Sequence, residues 1–155
     1  MPASQRPRDR LGRPLPWGSP GFPAVPERDA INSADAVAEA AAYLARGLPF
    51  HAHEVMEMRW RCCPEPERPL WRGLAQAAAG QTHAARGNSV GAERLVARGI
   101  ASIEEYDGPL DRDLIALISA LGADPAAPAT TSGQSPAVAQ EGSGDNLPTR
   151  EGRPG

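Results

Sequence analysis

"LWRGLAQAAAGQTHAARGNSVGAERLVARGIASIEEY", residues 70–106, decides the fold. Small and apolar residues recur at helical spacing on both sides of a central Gly-Asn-Ser, where Gly87 stops one helix and Asn88 or Ser89 caps the next. The first helix of the pair starts near Glu67 or Pro69 and runs to Gly87. At ~1.5 Å per residue, roughly nineteen residues span about 28 Å, a full bundle length. Its alanines and glycines let a neighbouring helix approach the backbone closely. In the second helix Leu95, Ile100 and Ile103 look inward, and Gly91 reads as a close-contact position.

Three more helices flank this pair. Asn32 or Ser33 caps "ADAVAEAAAYLARG", which Gly47 ends. Pro49 suits the first turn of a helix over about residues 50–61, closed by "CCPEPERP". After the "DGP" turn, residues 110–121 form a short fifth helix that contributes Leu114, Ile115, Leu117 and Ile118. No segment alternates as a strand does, and no fixed repeat appears. The expected fold is all-α, a compact bundle of about five helices over residues 33–121.

Composition sets the ends apart. Residues 1–32 are rich in Pro and Arg, include Trp17 and have no sustained apolar period, so they read as a disordered arm; residues 122–155, with "PAAPATTSGQSPA", read as a low-complexity disordered tail. All basic residues are arginine, which excludes a lysine nucleophile. The bundle carries nine Arg against twelve acids, a balance that does not attract phosphate backbones, so no nucleic-acid partner is expected. The sequence has no apolar run of membrane-spanning length and no signal-peptide h-region, so a cytoplasmic protein without a membrane partner is expected. Cys62 and Cys63 are adjacent, a spacing that suits free thiols and not a metal pair.

The chemistry concentrates in "PFHAHEVMEMRW", residues 49–60. His53, Glu57 and Trp60 fall at i, i+4 and i+7 on one helical face, with Glu54 beside them. Gln76 and His83 share a face of the next helix, Asn88 sits at the turn and Arg94 lies beyond it, so a polar cluster between the second, third and fourth helices is expected. His51, Met58 and Arg59 read as facing solvent.

Three readings of the cluster stand side by side. His53, Glu57 and His83 could ligate a catalytic metal with one position open, although "HEVME" has Glu where a zincin needs its second His. Alternatively, His53 or His83 beside Glu54 or Glu57 could do metal-free acid/base work. In the third reading the residues form a structural network, the glutamates accepting from Trp60, Arg94 and helix termini.

The blocks "FHAHEVMEMRW", "LWRGLAQAAAGQTHAAR" and "GNSVGAERL" resemble, in order, the prokaryotic family known as domain of unknown function 309. Phe50, Ala52, His53, Glu54, Glu57 and Trp60 carry the first block. Gly73, Leu74, Gln76, Ala78 and His83 carry the second, and Gly87, Asn88, Gly91, Ala92 and Leu95 the third. The resemblance implies an all-helical fold and brings no established activity, ligand or cofactor. The expected function is therefore a structural or binding module, potentially homo-oligomeric, with a small metal-dependent or acid/base hydrolase as the alternative.

Overall fold

The computed structural model describes residues 5–122. Five α-helices follow one another: α1 (Ser33–Ala45), α2 (Pro49–Cys62), α3 (Arg68–Ala85), α4 (Ser89–Glu104) and α5 (Arg112–Gly122), with a 3-10 turn at Glu65–Glu67 leading into α3. No strand is present among the described residues, so the fold is the all-α bundle that the spacing predicts. The tail beyond residue 122 lies outside the described residues.

Local chemistry sets the ends of the helices. Asn32 Oδ1 accepts from Asp35 N at 2.8 Å to start α1, and Asn88 Oδ1 accepts from Gly91 N at 3.0 Å to start α4. Gly47 and Gly87, at φ 72° and 92°, take the left-handed conformation that lets the chain leave α1 and α3. The start of α2 has no side-chain cap, and Pro49 supplies its first turn instead.

The α3–α4 pair is packed backbone to backbone. A Cβ on Gly99 would lie 2.5 Å from Gly73 O and 2.8 Å from Ala77 N, and one on Gly80 would lie 2.9 Å from Ala92 O. The tight contacts thus sit at Gly73, Gly80 and Gly99. A Cβ on Gly91 would instead meet the Asn88 side chain at 2.6 Å, so that glycine serves the cap and not the helix seam.

Opposite this seam lies the core, where Val55 and Met56 of α2 meet Leu70, Trp71 and Leu74 of α3, and Leu117 and Leu121 of α5 close one end. Trp71, fully buried, donates Nε1–H to Glu67 Oε1 at 3.0 Å, and Arg59 donates to the same oxygen at 2.9 Å and to Ile31 O at 3.1 Å.

Residues 5–32 form no helix, and they lie along the bundle instead of standing free of it. Val25 and Ile31 join the core, Arg28 makes a two-pronged contact with Glu39 at 2.7 and 2.9 Å, and Arg86 reaches back to Leu11 O at 2.6 Å. The physical reason is that prolines already fix much of the backbone, so few anchors suffice to hold an extended segment.

This strap reverses the expected orientation of α2. His51 is only 4% exposed: its Nε2–H donates to Pro23 O at 2.8 Å, and its ring meets Phe22 edge-on with centroids 5.2 Å apart. Met58 is buried, and the Arg59 side chain is 11% exposed. The three residues expected in solvent are therefore covered by the strap, α1 and the turn before α3, while the face bearing His53, Glu57 and Trp60 is the half-open one.

Candidate functional site

The half-open face of α2 forms one wall of a cleft of about 280 Å³. His53, Glu57 and Trp60 line it from α2, Arg72, Ala75, Gln76 and Ala79 from α3, and Leu95 from α4. The α3 residues follow helical spacing, and the small side chains of Ala75 and Ala79 leave the space. A second hollow of about 160 Å³ continues along the same seam, between Phe50, His53, Ala79, Thr82, His83 and Arg86. His53 borders both.

The polar groups differ in how far they are satisfied. Glu57 Oε1 accepts weakly from Arg61 at 3.5 Å, with both side chains exposed. His53 Nδ1 stands 3.6 Å from Glu54 Oε2, and the Glu54 carboxyl is held below the usual range by its hydrogen bond to His53, followed by the charges of His53, Arg8 and Arg61, which together outweigh burial. Glu54 itself faces away from the cleft, into a hollow with Gln5, Arg6, Arg8 and Phe50. Trp60 carries the Arg68 guanidinium 4.6 Å above its ring. Gln76 Oε1 is buried and has no hydrogen-bond partner among the described residues.

Residues 37–95 match the family model described as Domain of unknown function (DUF309). The stretch is thus similar to DUF309 over 59 of the 155 residues. No curated protein and no solved structure matches the chain. All the residues lining the 280 Å³ cleft fall inside the DUF309 segment, whereas the N-terminal strap and α5 fall outside it.

Geometry also separates residues that the sequence had grouped. His83 borders only the second hollow, where its Nδ1 accepts from Asn88 Nδ2 at 3.2 Å, so His83 and Asn88 together brace the start of α4. Arg94 is exposed and does not line the cleft. The guanidinium there is that of Arg72, whose Nε donates to Ser102 Oγ at 3.2 Å and whose terminal nitrogen lies 3.6 Å from Glu105. Arg72 is four residues before Gln76 and so shares its face, a spacing that could have identified it. The glutamate that accepts from a tryptophan is Glu67, and its donor is Trp71, not Trp60. Among the described residues no group of three His, Cys, Asp or Glu side chains is placed to hold a metal ion, which leaves His53, Glu57 and His83 without a shared ligand geometry.

Proposed function

We propose that the bundle is a binding module that takes a small polar molecule into the α2–α3 cleft through Gln76. Gln76 Oε1 carries this reading. A buried acceptor without a donor costs about 1–3 kcal/mol, and a ligand N–H or O–H would relieve that cost once the Gln76 side chain turns its amide toward the cleft it lines. The charged groups around it already have protein partners: Glu57 has Arg61, Arg72 has Ser102 and Glu105, and His53 has Glu54. A cleft of about 280 Å³ sits at the small end of ligand pockets, so the molecule is of fragment size. The acidic balance of the bundle argues against nucleic acid as the partner, and the free thiols of Cys62 and Cys63 fit a prokaryotic cytoplasm.

Thermal melting of Gln76→Met tests the reading. A methionine fills a similar volume without a buried acceptor, so the ligand-free variant should melt about 5 °C higher, as ~1 kcal/mol of relief does in a domain of this size. A structural network would lose a member and melt lower, and that result would sink the binding reading.

Acid/base hydrolysis is the second reading, favoured by His53, which borders both hollows and stands 3.6 Å from Glu54 on its far side. It expects hydrolysis of p-nitrophenyl acetate above the buffer rate, reduced at least ~10² by His53→Gln. Equal rates for the two proteins would rule it out.

A further inference from the structure

The second hollow along the α2–α3 seam, of about 160 Å³, differs from the first in its charge. His53, His83 and Arg86 line it and no aspartate or glutamate does, although the bundle as a whole carries more acids than arginines. A lining of one sign draws in the opposite charge.

The donors at this hollow are held in place by bonds that leave part of each unused. Arg86 donates Nε–H and Nη2–H to Leu11 O at 3.1 and 2.6 Å, which pins one edge of the guanidinium to the strap. The adjacent edge, Nη1 with the second hydrogen of Nη2, has no partner among the described residues. His83 is set through Asn88. Gly91 N–H donates to Asn88 Oδ1 at 3.0 Å, so the Asn88 amide is oriented and it is Nδ2 that faces His83 Nδ1 at 3.2 Å. A ring nitrogen that accepts carries no hydrogen, which puts the His83 proton on Nε2, a donor without a partner among the described residues. His53 turns Nδ1 to Glu54 at 3.6 Å and leaves Nε2 for the hollows that its ring borders. A planar guanidinium edge beside an imidazole N–H is a donor set that suits the oxygens of a carboxylate or phosphate.

We propose that the second hollow is an oxyanion subsite, in which Arg86 and His83 hold a carboxylate or phosphate group of the small molecule bound in the cleft. This rests on the binding reading of that cleft and names the class of its ligand, an anion with a hydrogen-bond donor remote from its charged group. Gln76 and His83 are separated by two turns of α3, about 10 Å along the axis, so Gln76 meets the donor at one end while Arg86 meets the oxyanion at the other. The strap takes part as well, since Leu11 O is what aims the guanidinium.

Nuclear magnetic resonance of the imidazole nitrogens tests the subsite. The full chain is titrated with sodium phosphate, and separately with sodium acetate, at fixed pH and with sodium chloride holding the ionic strength constant. The expected result is a saturable displacement of the His83 Nε2 signal, with a millimolar dissociation constant because Arg86 is exposed to water. The tighter of the two anions tells whether the group is a phosphate or a carboxylate. Arg86→Met should weaken binding at least ~10-fold. Because Arg86 also holds the strap, Ala79→Glu is the second variant: it sets a carboxylate into the seam, leaves the Leu11 contact alone, and should abolish the response with circular dichroism unchanged. No saturable response to either anion would overturn the proposal, and so would a response that persists in both variants. The melting of Gln76→Met reads the cleft and the titration reads the hollow, so each can fail without the other: a raised melting temperature with no anion response strikes the subsite alone.

Discussion

At the scale of single residues, the side chains that hold α2 in place are not those with the most evident chemistry. Glu67 Oε1 accepts from both Arg59 and Trp71, and the Arg59 guanidinium also lies 6.0 Å over the Trp71 ring. Removing the carboxylate leaves Arg59 almost enclosed without a counter-charge and the Trp71 N–H without its acceptor. Glu67→Ala should therefore lower stability by about 3 kcal/mol in urea unfolding, whereas Glu57→Ala, which frees only an exposed arginine, should change it by less than ~1 kcal/mol. Equal losses would show that the buried network had been overvalued. The spacing of His53, Glu57 and Trp60 was legible in the sequence because it follows from the helical repeat alone. Which way that face looks was not legible, since α2 carries Phe50, Val55, Met56, Met58 and Trp60 on several sides and only the covering strap decides among them. Likewise, nothing in the local pattern of His51 signals that its partner is the carbonyl of Pro23, twenty-eight residues earlier.

At the scale of the helices, α3 and α4 owe their closeness to glycine. The five helices were legible because caps and stops are local: Asn32, Gly47, Pro49, Gly87 and Asn88 each act within a few residues of themselves. The pairing of Gly73 with Gly99 was not, because it joins positions on two helices whose rotation about their axes the sequence leaves open. Gly99→Ala should force α4 outward from Gly73 O and Ala77 N and cost about 3 kcal/mol, seen as a fall of more than about 10 °C in melting temperature. Gly91→Ala should act through the cap alone, at about 1 kcal/mol. Adding Gly73→Ala to Gly99→Ala should cost less than the sum of the two, because both report on one contact.

At the scale of the whole molecule, the strap over residues 5–32 makes the bundle more than its helices. A chain beginning at Ala30 would uncover His51 and lose the apolar anchors Phe22 and Val25, at an expected cost of about 2–4 kcal/mol. Hydrogen exchange should then quicken along α2 in particular. Unchanged exchange there would mean that the strap rests on the bundle without stabilising it. The strap holds the buried side of α2, and the cleft opens on its other side, so the domain's candidate site depends on a segment that its family resemblance does not include.

The Gly73–Gly99 contact carries the same lesson to the other boundary. The DUF309 match stops at residue 95, four residues short of the glycine that closes onto α3. A fragment cut at the limits of recognisable sequence would expose the narrow channel along Gly73 and Ala77 to water and leave α4 to fray at its middle. The stretch that matches the family is shorter than the stretch whose contacts close the bundle, and a fragment limited to the match should be less stable than the full chain.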